Sequence, residues 1–375
     1  MQLKFSSTAL LPHDINVLIG PNGVGKSQLL HQMVEGWIRP SEEGPGFDPH
    51  PNLSQIVVVS YSPFERFPVD MQGLTVQDKD VYRYFGFRGR SETNGKVRLS
   101  HEFPKRHAAE SLIACLAGDQ KYKTIVDWAR KVSTVETVLR HAFEFDFAAV
   151  EIGELRRVRS LFKDADAVEG PTELKVGDKR YVPIASHTMD EAIPDKLHHA
   201  CVLKSGVTFF KDGEPIELSS GQRLFAYIVI DLLGVIRRNS LVLIDEPELF
   251  LHPTLEIQFV EMLKEVLLSY NSKALLATHS EVLVREVPAD CVHVLARTND
   301  GLRISNPPFQ TFGGDIQRIS SYVFGDNAVS KPFESWVTKK LAEYGSSQAL
   351  LEALGDDASE ELIVQIKSMR RGENW

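Results

Sequence analysis

Cysteine is scarce in this chain, with 3 residues in 375, and Cys115, Cys201 and Cys291 lie far apart. Such isolation excludes a disulfide framework and a Cys-rich zinc site. Long hydrophobic runs are also missing. The best candidate, Leu224 to Ile236, is too short to cross a bilayer and is interrupted by Asp231. Only one early lysine precedes the first apolar run, so no signal peptide is expected and the cytoplasm is the expected location. Positive charge is not in excess either. The 42 Lys and Arg face 51 Asp and Glu, a net charge of −9, which argues against a general nucleic-acid coat. No repeat of solenoid period is present. With 43% hydrophobic residues, the chain can bury a substantial core, as one large domain or a domain with an embedded lobe.

What is present begins with Gly20-Pro21-Asn22-Gly23-Val24-Gly25-Lys26-Ser27. An apolar run, Ile15 to Ile19, enters this stretch, and an amphipathic run, Gln28 to Ile38, leaves it. Strand, Gly-rich loop and helix in that order make a phosphate-binding loop. Its backbone N–H groups and the positive end of the helix face the phosphates. Lys26 is placed to reach the β and γ phosphates, and the Ser27 hydroxyl to ligate Mg²⁺. A bound nucleoside triphosphate is the expectation, with ATP and Mg²⁺ as its parts.

A second cluster lies far downstream. Leu241-Val242-Leu243-Ile244 reads as a buried parallel strand with Asp245-Glu246 at its C-terminal tip. Asp245 is the expected partner of the metal shell and Glu246 the expected general base. Leu218-Ser219-Ser220-Gly221-Gln222-Arg223 opens an apolar helix running to about Ile236. Ala274 to Ala277 forms another apolar strand, followed by Thr278-His279-Ser280. Alone, Ser219 could be a helix N-cap and His279 an ordinary strand-end histidine. Their order and spacing make them one set.

That set resembles the ABC-type ATPases. Leu218–Gln222 is similar to their signature motif, Leu241–Glu246 to Walker B and His279 to the switch histidine. The wording Glu246-Pro247-Glu248-Leu249-Phe250-Leu251-His252-Pro253 resembles the SMC, RecF and OLD group rather than transporter heads. The resemblance implies an α/β P-loop ATPase head. It also implies catalytic roles for Lys26, Glu246 and His279. ATP would contact the P-loop of one head and Ser219, Ser220, Gly221 and Gln222 of another, in a head-to-head dimer. Asn22 and Glu248–Pro253 would lie near the seam. Two departures stand out. Ser220 replaces the glycine of many members, and no clear Q-loop glutamine follows Gln55–Ser60, with Gln72 and Gln77 as candidates.

Four segments are expected. Residues 1–85 make an ATPase lobe with a short strand near Leu3–Phe5, and 86–199 an inserted, mostly helical lobe. Helices are expected there at Ala108–Ala117, Lys121–Ala142 and Phe147–Phe162, and a hairpin around Val176–Tyr181. Residues 200–296 resume the core after a turn at Lys211-Asp212-Gly213, and 297–375 form an extension ending in three short helices. Between Phe87 and His107, Arg88, Arg90, Lys96, Arg98, Lys105 and Arg106 face only Glu92 and Glu102. This stripe reads as a DNA or RNA contact or as a solvated loop. Arg156, Arg157, Arg159 and Lys163 read as a helix face.

No Asp-x-Asp pair follows His279, whereas Asp78-Lys79-Asp80 and Asp164-Ala165-Asp166 lie earlier and read as surface acids. His198-His199 lacks metal-site partners. No second catalytic centre is expected, so the output must pass elsewhere. The resemblance to stand-alone OLD-like ATPases of Septu-type and retron-linked systems implies control of a separate effector, a nuclease, toxin or reverse-transcriptase complex, in anti-phage defence. A RecF-like DNA-repair clamp is the alternative.

Overall fold

The computed structural model describes residues 3–5, 11–39, 47–48, 51–71, 79–125, 130–153, 173–185, 193–299, 301–324 and 332–369. Short buried runs of branched apolar residues supply the central strands, as expected for strands covered on both faces. These are β1 (Ile15–Ile19), β2 (Gln55–Ser60), β11 (Ser240–Asp245) and β12 (Lys273–Thr278); β3 (Tyr82–Gly86), β13 (Val292–Thr298) and β14 (Gly301–Ser305) complete the sheet. They form a seven-stranded sheet in the order β14-β13-β1-β12-β11-β2-β3. Every pairing is parallel except β13 with β14. The fold is mixed α/β with a largely parallel sheet.

The strand order does the positioning. Neighbours β1, β12, β11 and β2 all run the same way, so the P-loop, His279, Asp245-Glu246 and Tyr61 emerge side by side. Ligands of such sheets bind at these C-terminal tips. Helix α1 (Lys26–Ile38) seals one face, burying Leu30, Val34 and Ile38 against Leu18, Val58 and Leu243.

A second, antiparallel sheet has five strands in the order β10-β9-β6-β8-β7. Its members are β6 (Phe147–Ile152), β7 (Leu174–Val176), β8 (Lys179–Ile184), β9 (Val207–Lys211) and β10 (Glu214–Pro215). A separate hairpin pairs β4 (Arg88–Arg90) with β5 (Val97–Leu99). The helices of this region are α2 (Glu102–Lys121), α3 (Lys131–Ala142) and α4 (Ile193–Ala200). The expected helix at Phe147–Phe162 is therefore a strand over its first six residues, and residues 154–162 lie outside the described residues. Short apolar runs fit both periods. Pairing with β8 and β9 on either side decides for the strand. The segment 86–199 is less helical than expected, and its sheet is completed by β9 and β10 from beyond residue 199.

The single helix expected over Lys121–Ala142 is two. Asp119 of α2 accepts from Lys131 N at 2.7 Å and Val132 N at 2.9 Å, capping α3 from outside. No strand forms at Leu3–Phe5, where Lys4 O instead accepts from Asn16 Nδ2 at 2.9 Å. Both expected hairpins form, with Asp212 (φ 53°) and Gly213 (φ 82°) making the turn between β9 and β10.

Helix α5 (Ser220–Val235) crosses α2 so closely that a Cβ on Gly234 would sit 2.6 Å from Ser111 Cβ and 2.8 Å from its carbonyl oxygen. Gly234→Val is expected to cost about 1–3 kcal/mol by overpacking. A chemical-denaturation midpoint equal to wild type would contradict this close approach.

Helices α6 (Pro253–Ser269), α7 (Glu281–Arg285) and α8 (Ile316–Phe324) follow in the chain. The chain divides into two compact units, Met1–Ile319 and Ser320–Trp375. Residues 297–298 and 301–305, expected in the extension, belong to the main sheet instead. In the second unit, α9 (Pro332–Tyr344), α10 (Ser347–Leu354) and α11 (Glu360–Met369) enclose Val337, Leu350 and Ile366. These are the three short helices the sequence suggests.

Candidate functional site

The P-loop needs backbone conformations that L side chains resist. Gly23 (φ 73°) and Gly25 (φ 112°) both take positive φ, which glycine allows without steric cost. Gly25 is the N-cap of α1, so the helix dipole starts at the loop. Lys26, 5% exposed, donates to Gly20 O at 2.9 Å and Pro21 O at 3.4 Å. It also lies 2.6 Å from His279 Nε2, a residue 253 positions away. Burial lowers Lys26 to about 8, opposed by Glu246, Glu248 and Asp245. Burial, reinforced by the Lys26 charge, lowers His279 to about 4. The ring is thus neutral at neutral pH and can accept a hydrogen bond from the Lys26 ammonium.

Ser27 and Asp245 meet although 218 positions separate them: Ser27 Oγ donates to Asp245 Oδ1 at 2.8 Å. Burial lifts Asp245 to about 7, while the Ser27 hydrogen bond pulls the other way. Glu246, the next residue, has φ 51° and ψ 54°, a left-handed conformation rare for a residue with a side chain. Its N–H donates to Ala277 O at 2.8 Å, fixing it to β12. Its carboxylate lies 4.0 Å from His279 Nε2. Local strain of this kind costs on the order of 1–3 kcal/mol and gathers at functional sites.

Sequence reasoning gave less weight to the carboxylate of Glu248. It accepts from His279 N at 2.5 Å, tying the tip of β11 to the tip of β12. Two further residues were missed. Tyr61 OH lies 3.5 Å from Asp231 Oδ2, joining the end of β2 to α5. Glu65 accepts from Tyr84 OH at 2.6 Å and Arg88 Nη1 at 3.1 Å, and is near enough to raise Asp245 further. Asp231 was detectable as a charge in an apolar helix. Glu65 carries no local signal. Gln72 and Gln77 lie outside the described residues, as do Asp78, Asp164-Ala165-Asp166 and the group Arg156 to Lys163.

Ser219 caps α5 in a capping box: Gln222 N donates to Ser219 Oγ at 3.3 Å, and Ser219 N to Gln222 Oε1 at 3.1 Å. Ser219 and Ser220 are exposed, and Gly221 abuts Phe250 O, which a Cβ would approach to 2.6 Å. Among the described residues, no hydrogen bond links Ser219–Gln222 to the P-loop. These residues form a second, outward-facing cluster.

The basic stripe is largely neutralised where it stands. Arg88 pairs with Glu65 at 3.1 Å, Arg90 with Asp70 at 2.5 Å and Arg98 with Glu102 at 3.4 Å. Arg106 pairs with Glu92 and, at 3.0 Å, with Glu110. His198 and His199 belong to no metal-binding cluster among the described residues.

Residues 107–285 match the family model described as "AAA domain, putative AbiEii toxin, Type IV TA system". That segment is similar to an ATPase domain. The matched segment contains Ser219–Gln222, Asp245-Glu246 and His279, with ATP as the implied substrate. Protein ea59 of Escherichia phage lambda is 24% identical over 325 residues, covering 83% of this chain. The chain spans about half the length of that curated relative, 54%. The SMC head domain from Thermotoga maritima aligns over 81% of this chain and 92% of that one, with 13% identity and a TM-score of 0.32. No helix among the described residues is long and apolar enough to cross a membrane.

Proposed function

We propose that this chain is an ATP-hydrolysing switch of the ABC type. Two copies close head to head around ATP, and the switch controls a separate effector, a nuclease, toxin or reverse-transcriptase complex, in anti-phage defence. The observation that carries the hydrolytic part is the 2.8 Å contact of Ser27 Oγ with Asp245 Oδ1, beside Lys26, Glu246 and His279. The matched family description, with its AbiEii toxin and Type IV TA system, supports the defence part.

The chemistry follows from the positions. The P-loop N–H groups of Gly20 and of Asn22 through Ser27, Val24 included, would wrap the phosphates, with Pro21 contributing only its fixed backbone turn, and Lys26 would exchange its carbonyl partners for phosphate oxygens. Ser27 Oγ and the Asp245 carboxylate converge as hard oxygens in a buried corner, which fits Mg²⁺, whose remaining ligands in nucleotide sites are phosphate and water. Bound there, Mg²⁺ would neutralise charge on the β and γ phosphates. Glu246 would take a proton from the attacking water, and His279 would hold the γ-phosphate end in place. Ser219–Gln222, exposed at a helix N-terminus, would meet the γ-phosphate in the partner head.

Ser219→Arg tests the shared site. It is expected to leave ATP binding by the single head intact, to abolish ATP-dependent dimerisation in sedimentation velocity, and to block turnover. Unaltered dimerisation and turnover would overturn the head-to-head arrangement. The stripe gives the DNA-clamp reading no added support, since its arginines are already paired.

A further inference from the structure

The ring of His279 reaches Lys26 Nζ at 2.6 Å and the Glu246 carboxylate at 4.0 Å from the short turn Thr278-His279-Ser280, between β12 and α7. Side chains occupy a few staggered rotamers, so where this ring points follows from where the turn is fixed. Within the turn, Ser280 N donates to Thr278 Oγ1 at 2.9 Å. From outside, two carboxylates on different elements hold it. Glu248 accepts from His279 N at 2.5 Å, and Glu256 accepts from Ser280 Oγ.

Glu256 stands in the first turn of α6. It is 6% exposed and Ser280 8%, so their hydrogen bond lies out of water, where a low dielectric strengthens it. Burying a carboxylate is costly unless it is hydrogen-bonded, and the α6 N-terminus, whose dipole favours negative charge, offsets part of that cost. The Ser280 hydroxyl is used on both sides: it donates to Glu256 and accepts from Leu283 N at 3.3 Å as the N-cap of α7. It therefore joins the end of β12, the start of α7 and the first turn of α6 at one point. Leu255, the residue before Glu256, faces the other cluster: a Cβ on Gly221 would stand 3.7 Å from Leu255 Cδ1. Consecutive residues of one helical turn thus meet the Ser219 cluster and the His279 turn.

We propose that Glu256 is a positioning residue for ATP hydrolysis, a role that rests on the hydrolytic reading given above. Through Ser280 it keeps the His279 ring within reach of Lys26 and Glu246, and ties that ring to the α6 turn that backs the Ser219 cluster. Glu248 by itself makes a single hydrogen bond to the backbone of His279, about which the turn could pivot. A second hold, on the next residue and from a different element, removes that freedom. Among the described residues, no hydrogen bond joins Glu256 to Lys26, Ser27, Asp245 or Glu246, so its effect passes through the turn.

Glu256→Ala removes the second hold and leaves Ser280 as the cap of α7. Its turnover at saturating ATP is expected to fall roughly 10- to 100-fold, the scale of an ångström-sized misplacement of a reacting group. ATP affinity, read by equilibrium dialysis, should stay at the wild-type value, which also confirms a folded head. Glu256→Gln, whose amide oxygen can still accept from Ser280, should recover most of the turnover. The decisive comparison is made in the His279→Ala background. If Glu256 acts through the ring, Glu256→Ala lowers the residual turnover no further once the ring is gone. Equal losses in both backgrounds, wild-type turnover in Glu256→Ala, or loss of its ATP affinity would each overturn the role. Failure of the hydrolytic reading looks different: wild type would not turn over ATP, or His279→Ala would do so as fast as wild type.

Discussion

Glu246→Gln is expected to keep ATP binding and to slow turnover by on the order of 10²–10⁴-fold, the range lost when a general base is removed. Glutamine keeps the size of the side chain but cannot take a proton. The geometry makes the effect specific to this residue. Glu246 is held in a left-handed conformation by its N–H bond to Ala277 O, and its carboxylate faces His279 at 4.0 Å. The other carboxylates nearby are committed elsewhere: Asp245 to Ser27 and Glu248 to the backbone of His279. Neither can readily replace it. Single-turnover phosphate release measures the loss, and ATP should accumulate on the variant in its closed dimer. Lys26→Ala supplies the contrast, because it should lose binding at the P-loop itself. Wild-type turnover in Glu246→Gln would remove this residue from the base role.

Acid should destabilise the first compact unit through two buried histidines. His293 is 4% exposed and bonds Asn16 Oδ1 through Nε2 at 2.8 Å; His107 lies on α2 with its Nδ1 buried. Burial lowers both to about 4, below the ordinary histidine value of about 6.5. The folded state therefore binds fewer protons than the unfolded chain across that window. Stability from these groups is complete above about pH 6.5 and is lost as pH falls toward 4. Each histidine can contribute on the order of 2–3 kcal/mol to this loss. Asp245, raised to about 7, acts in the opposite sense, because the folded state holds its proton more tightly. The informative quantity is thus the difference between wild type and His107→Phe/His293→Gln. Urea midpoints at pH 7 and pH 4.5 should fall further for wild type than for the double variant. Equal slopes would show that neither ring resists protonation in the fold.

Much of the architecture was legible because it rests on local order. The runs Ile15–Ile19 and Gln55–Ser60 are too short and too apolar for exposed helices, and both are central strands with those bounds. Helix α5 starts at the serine whose capping chemistry marked it. The turn at Asp212-Gly213 formed where positive φ was readable from residue type. Legibility failed where partners far along the chain decide. Phe147–Ile152 satisfies either period until β8 and β9 flank it. The break between α2 and α3 depends on Asp119 reaching across to cap the second helix. The arginines between Phe87 and His107 read as a stripe because Glu65, Asp70 and Glu110, their partners here, lie outside the window or on another element.

The sequence by itself determined the chemical inventory: a phosphate loop, a carboxylate pair at a strand tip, a capped helix start and a strand-end histidine. Residue type and spacing suffice for these, because φ preferences, capping and apolar period act within a few residues. Only the tertiary structure decided that Ser27 meets Asp245, that His279 meets Lys26, and that Glu248 ties two strand tips together. Each of these depends on strand order, and strand order is set by how the whole apolar sheet is buried, which no local stretch of chain records.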